Sequence, residues 1–263
     1  MGNLDFRKRA VMGIFDFFKS SSNKAEKLGE KAPPIPKEVA RWADRAADKR
    51  AQTYDRQEAI AALADLGTPE AAGALLRRFN FVIDPTITDQ EEKQIAYEGV
   101  LAAGKGAMAP IRKYVEKAES VAWPMKLSRE LLDEEEYVGE LLAWLSRWDT
   151  EYAKFIDPKL QILTALEEIK DSRVREAIAD FLYDVNETAR FHAVGATLKQ
   201  DDPESIPKLV EIFCDEESVR IRTRICEGFI ARGWIVPEDR RAEMRKSLPS
   251  DFTIDGEGAI KRK

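Results

Sequence analysis

The stretch RQEAIAALADLGTPEAAGALLRRF, Arg56 to Phe79, decides how this chain folds. Its apolar residues recur at three- and four-residue spacing on both sides of Gly67-Thr68-Pro69, which predicts two short amphipathic helices joined by a tight turn. Gly67 suits the end of the first helix. Pro69 suits the first turn of the second, where its missing N–H leaves nothing unpaired.

The same unit recurs. Sliding the chain by 134 residues lays Arg56–Phe79 on RFHAVGATLKQDDPESIPKLVEIF, Arg190–Phe213, without a gap. Arg56 then falls on Arg190, Ala59 on Ala193, Ala62 on Ala196, Leu75 on Leu209 and Phe79 on Phe213. A shift of 31 brings Lys159–Asp184 onto that second copy, with Ala165 on Ala196 and Leu182 on Phe213. Ile95–Ala118 and Ser218–Leu248 read as further helix pairs, whereas Trp123–Trp148 is helical but fits the unit poorly and reads as a degenerate repeat or an insertion. A period of about 30–34 residues is the signature of stacked helical hairpins, each with an apolar face too small to hide by itself. The alanines at Ala59, Ala62, Ala193 and Ala196 predict close helix approach, and Leu75, Leu209 and Phe213 fill the space between layers, at about 1.5–3 kcal/mol per fully buried side chain.

With those copies in register the chain resembles the bacterial HEAT-repeat family, in particular the type of phycobilisome lyases. The resemblance is carried by Glu187-Thr-Ala-Arg190, by Glu217-Ser-Val-Arg220 with Thr223 where alanine is usual, by the Asp202-Pro203-Glu204 turn and by the Leu-x-x-x-Phe/Leu close of the second helix. It spans about residues 50–248 and implies an all-α, right-handed α-solenoid of about five hairpins. It also implies that Arg190 and Arg220 pair with acidic turn residues of neighbouring repeats. First helices would line the convex side and second helices the concave side, so that Arg77, Lys113, Glu116, Asp180, Lys208 and Glu211 form rows along a protein-binding groove.

Composition points the same way. Among 263 residues, 34% are charged and 44% apolar, which suits a helical protein with a well-solvated surface. Residues 1–31 carry seven Lys/Arg against four Asp/Glu and residues 251–263 balance at three each, so with a net charge of −6 overall the body between, residues 32–250, holds −9. An acidic body repels nucleic acid and favours a protein partner, a basic one above all. Cys214 and Cys226 lack disulfide-scaffold density and zinc-ribbon spacing, and read as packing residues of a reduced, cytoplasmic protein.

Catalytic signals are sparse. The single histidine, His192, has no cysteine or second histidine at ligand spacing, and there is no phosphate loop, dinucleotide fingerprint or nucleophile elbow. The reading is therefore of a scaffold or adaptor with no catalytic residue, cofactor or metal. Two enzymatic alternatives follow from resemblance: a bilin-lyase-like activity, and a HEAT-like alkylpurine DNA glycosylase, for which Trp144, Arg147, Trp148 and Asp149 would be the cleft residues. Asp133–Glu136 precedes a helix whose N-terminal dipole it complements.

The two ends read differently. Residues 1–37 form an expected flexible arm in which Val11, Ile14, Phe15, Phe17 and Phe18 make an aromatic segment flanked by Arg7-Lys8-Arg9 and Lys19. That segment is a candidate anchor for the inner face of a membrane, or a cap on the first hairpin. Residues 38–250 are the repeat body. Residues 251–263 form a tail, with Phe252 and Ile254 alternating before an Asp-Gly turn and disorder expected past Gly256.

Overall fold

The computed structural model describes residues 35–263. The chain separates into two units, Met1–Pro36 and Lys37–Lys263, and it is the second that follows. The aromatic segment with Ile14, Phe15, Phe17 and Phe18 lies outside the described residues.

The opening stretch forms two helices, α2 (Thr53–Leu66) and α3 (Pro69–Leu76), after a leading α1 (Lys37–Ala46). Gly67 ends α2 in the left-handed region at φ 58°, a conformation that a Cβ would strain, and Thr68 caps α3 by accepting from Ala71 N–H at 3.3 Å. Five more pairs follow: α4 (Thr86–Ala102) with α5 (Met108–Val115), α6 (Ala122–Leu131) with α7 (Glu134–Leu145), α8 (Asp157–Leu166) with α9 (Ser172–Ile178), α10 (Glu187–Lys199) with α11 (Ile206–Asp215), and α12 (Val219–Arg232) with α13 (Arg241–Lys246).

The described residues thus hold six helix pairs rather than about five, because Trp123–Trp148 is a repeat and not an insertion. Its second helix, α7, sits between α5 and α9. Arg112 of α5 donates to Glu140 at 2.8 Å, and Arg173 of α9 donates to the Glu135 carbonyl at 3.1 Å. Its first helix, α6, packs on α4 through Tyr97 and Trp123, and Gln161 of α8 accepts from Val121 N–H at 2.7 Å where α6 begins. What disguised this copy is its two-residue turn. Asp133 and Glu136 form a capping box there, so the acidic run is the cap of α7.

First helices touch first helices along much of the chain, α2 on α4, α4 on α6, α8 on α10 and α10 on α12, while α3 touches α5. One apolar core runs through all of them. Ala59, Ala193 and Ala196 are fully buried in it, but Ala62 is only half-buried, since Ala64 takes the close contact in the first copy. A Cβ on Gly99 of α4 would stand 2.7 Å from the Ala64 Cβ and 2.8 Å from its backbone Cα, which cannot rotate away. Gly99→Ala is accordingly expected to lose about 1–3 kcal/mol in a denaturant titration, as overpacking does. An unchanged midpoint would mean that α2 and α4 lie further apart.

The tail is ordered by pairing. Strands β1 (Phe252–Ile254) and β2 (Ile260–Arg262) form an antiparallel hairpin against α12 and α13, with Phe252, Ile254 and Ile260 buried. The expectation of disorder past Gly256 is corrected by the turn chemistry: the Asp255 carboxylate accepts from the N–H groups of Glu257 and Ala259 and pairs with Lys261 at 2.8 Å. The Lys261 ammonium and those N–H groups hold its pKa down at about 2. Among the described residues no helix is long and apolar enough to cross a membrane.

Candidate functional site

A cation in the first turn of a first helix recurs in four of the six pairs, and it fixes the loops from which the candidate site is built. Arg56 of α2 donates to the Ala51 carbonyl at 2.8 Å and makes a two-pronged bond to Glu92 of the next pair at 2.8 and 2.9 Å. Lys159 of α8 donates to the Asp149 carbonyl at 3.1 Å and to Asp184, in the loop before α10, at 2.6 Å. Arg190 of α10 donates to the Asp184 carbonyl at 2.8 Å and to both oxygens of Glu216, in the loop before α12, at 2.8 and 2.9 Å. In the last pair Arg222 donates to the Ser247 carbonyl at 2.9 Å. Arg56, Lys159 and Arg190 therefore clasp the loop that enters their own helix and hold a carboxylate of the following pair, whereas Arg222 reaches the end of its own second helix, α13.

The second pair inverts the pattern. Its corresponding residue is Asp89, which accepts from Arg78 at 2.8 Å, from Lys93 at 2.7 Å and from Ile83 N–H at 3.2 Å. Arg78 also reaches Glu92 at 2.7 Å, so three cations and two carboxylates make one buried network. Burial pushes the Asp89 carboxyl upward, but its bonds from Lys93, Arg78 and Ile83 outweigh that and hold it below the usual carboxylate range. Glu216 behaves likewise: burial opposes its charge, and Arg190 with the Ser218 N–H holds it low.

These depressed values give a pH dependence with a definite sign. A carboxylate whose folded pKa lies below its unfolded value stabilises fully above the unfolded value, about 4 for these groups, and that contribution is lost as pH falls through the folded pKa. The Tm is expected to fall below about pH 4, and less steeply in Glu216→Gln. Identical acid limbs for the two proteins would remove Glu216 from this role.

Two cavities open on the edge where one pair passes to the next. The first, about 340 Å3, is lined by Val115 and Glu116 at the end of α5, Trp144, Arg147 and Trp148 at the end of α7, and Phe155, Pro158 and Ile162 leading into and along α8. The second, about 350 Å3, is lined by Leu182, Tyr183 and Val185 after α9, by Ile212 and Asp215 of α11, and by Arg190, Glu216 and Glu217. They occupy corresponding places two pairs apart.

The residues singled out in the sequence fall at several places. Arg77 follows α3 and pairs with Asp44 of α1 at 3.0 Å; Lys113 and Asp180 are exposed; Lys208 lies 3.5 Å from Glu211, which also accepts from Tyr183 at 2.8 Å. Glu116 alone of the six borders a cavity, and its carbonyl accepts from Arg147 at 3.2 Å. Arg190 sits beneath the second cavity. Arg220 is exposed, stacks on Phe191 at 3.9 Å and lies 3.4 Å from Glu187 of the preceding pair, while the position equivalent to Arg190 is held by Arg222.

Trp144, Arg147 and Trp148 share the first cavity, whereas Asp149 is not among its lining residues and accepts from Glu151 N–H. His192 is bonded to Glu167, which Arg224 also reaches across the intervening helix. Gly195 leaves the room for that crossing, since a Cβ there would collide with the Arg224 guanidinium. Among the described residues no group of His, Cys, Asp and Glu is placed to hold a metal ion. The repeat alignment does not single out Lys159, Asp184, Phe155 or Val185 as site residues, and it contains Glu217 only as a repeat-entry residue.

No protein-family model, curated protein or solved structure matches this chain.

Proposed function

We propose that this chain is a non-catalytic scaffold or adaptor: a HEAT-like, right-handed α-solenoid over residues 38–250 that holds a protein partner, with residues 1–37 as an anchor that places it at the inner face of a membrane in the cytoplasm. The observation that carries this reading is the repeated clasp. Arg56, Lys159 and Arg190 direct their charge into the joint between consecutive pairs, so the buried ionic groups serve the stack and leave its surface to recognition. Cross-linking in the native cell, read by mass spectrometry, tests it. Links from a protein partner to residues of the 37–263 unit are the expected result; a nucleic acid as the principal cross-linked species would overturn it.

A second reading rests on one observation, the gathering of Trp144, Arg147 and Trp148 around the first cavity. A glycosylase-like activity there would require binding to duplex DNA that weakens steeply with salt. The acidic body disfavours that, and a titration with alkylated duplex in low and moderate salt is expected to show no binding and no released base.

A further inference from the structure

The two edges of the stack differ in a way that the proposed function does not require. Among the described residues eleven large apolar side chains are exposed, and seven of them, Val82 and Tyr183 included, lie in the segments joining one pair to the next or within two helix residues of them. The opposite edge, made by the turns within pairs, carries Ile235 alone. An even scatter of single exposed apolar residues would need no explanation, but concentration on one edge marks an interaction surface. The two cavities described above open on this same edge, whereas the cavity of about 530 Å3 on the opposite edge is lined mainly by charged residues, Glu134, Glu135, Lys170, Asp171 and Arg173.

Charge on that edge is also one-sided. The joining segments 80–86, 115–122, 145–157, 183–187 and 215–219 contain eleven Asp/Glu against three Lys/Arg. Three of the eleven, Asp184, Glu187 and Glu216, are matched by Lys159, Arg220 and Arg190 from the adjoining helices. Asp215 and Glu217, which line the second cavity, make no ion pair among the described residues. The cavity is thus a half-apolar recess walled by Tyr183, Val185 and Ile212 whose free charge is negative. In the first cavity the walls are aromatic, Trp144, Trp148 and Phe155, and its Glu116 and Glu119 are offset by Lys117 and Arg147.

We propose that this edge docks an extended peptide segment of the protein partner, placing a large apolar side chain in the Trp144/Trp148/Phe155 cavity and a lysine or arginine in the Tyr183/Asp215/Glu217 cavity. The proposal rests on the protein-binding reading above and moves the contact from the second-helix face to the joining edge. Aromatic walls accept an apolar anchor, and the Asp215 and Glu217 carboxylates accept a cation, the Tyr183 ring being already covered by the Lys208 ammonium at 4.3 Å. Packed helices lie about 8–10 Å apart, so cavities two pairs apart are separated by about 16–20 Å, which an extended chain covers in about five or six residues.

The test is a random-peptide display selection on the full chain, followed by fluorescence anisotropy with a selected peptide. Selected sequences are expected to carry Trp, Phe or Leu about five or six residues from Lys or Arg. Affinity is expected to fall about tenfold or more in Trp148→Ala with Phe155→Ala, and again in Asp215→Lys with Glu217→Lys, the second loss shrinking at high salt. Glu98→Lys on the exposed face of α4 serves as the control, with affinity within about twofold of the parent. Circular dichroism of each variant reports its folding. If peptides bind but Lys113→Glu with Asp180→Lys abolishes binding while the edge variants do not, the edge proposal is overturned and the protein-binding reading stands. If no peptide is selected, both fall.

Discussion

Glu92→Ala is expected to destabilise the folded chain by about 3–5 kcal/mol, the range for removing one partner from a buried ionic contact, and toward the upper end because two arginines lose it at once. Arg56 and Arg78 both converge on Glu92, and all three side chains are essentially inaccessible to water. With the carboxylate gone, Arg56 retains the Ala51 carbonyl, and Arg78 retains Asp89 and the Phe81 carbonyl, but the local charge becomes three cations against one carboxylate. Burying an uncompensated charge is what makes the loss large, more than the absent hydrogen bonds. Glu92→Gln keeps the shape and one acceptor oxygen, so its urea midpoint is expected between those of the parent and Glu92→Ala. Equal midpoints for all three proteins would mean that the network is solvated.

Lys159→Met carries the second large effect, about 3–5 kcal/mol by the same reasoning. Its ammonium and the Asp184 carboxylate are both fully buried 2.6 Å apart, and after the substitution Asp184 is left with the Asn186 N–H at 2.8 Å as its donor. Here the pair joins α8 to the loop that enters α10, so the loss falls on a joint between repeats. Adding Asp184→Asn removes the stranded charge while keeping an acceptor for Asn186, and most of the stability should return. A double variant no more stable than Lys159→Met would show that the lost bond to the Asp149 carbonyl, and not the stranded Asp184 charge, accounts for the loss.

Much of this was legible in the sequence, and the reason is periodicity. The Gly67-Thr68-Pro69 break and the 134-residue repeat of Arg56–Phe79 expose the hairpins directly, because helix ends and apolar spacing are local properties. The shift of 31 that lays Ala165 on Ala196 also lays Lys159 on Arg190, so a signal for the buried clasp was present in the alignment. Its acidic partners were hidden for a physical reason. Asp184 and Glu216 come from joining loops, whereas the first pair is served by Glu92, well inside α4, so the carboxylates keep no fixed spacing from the cations they meet. The third pair, α6 with α7, left repeat and insertion both open in the sequence because its turn is too short to break the helical pattern. The edge cavities escaped because Phe155, Val185 and Glu217 lie in loops of unequal length, where repeat alignment has no register to follow.

The central claim, that the pairs follow one another in a single stack, is tested most directly by spin-label distances on the exposed second-helix face. Labels at Lys113 with Asp180, Arg77 with Asp180, and Arg77 with Lys208, in a chain carrying Cys214→Ser and Cys226→Ala, span two, three and four pairs. In a single stack the distances lengthen in that order, by about 8–10 Å for each added pair. A distance from Arg77 to Lys208 equal to or shorter than that from Lys113 to Asp180 would contradict it, since only a chain folded back on itself brings those ends together.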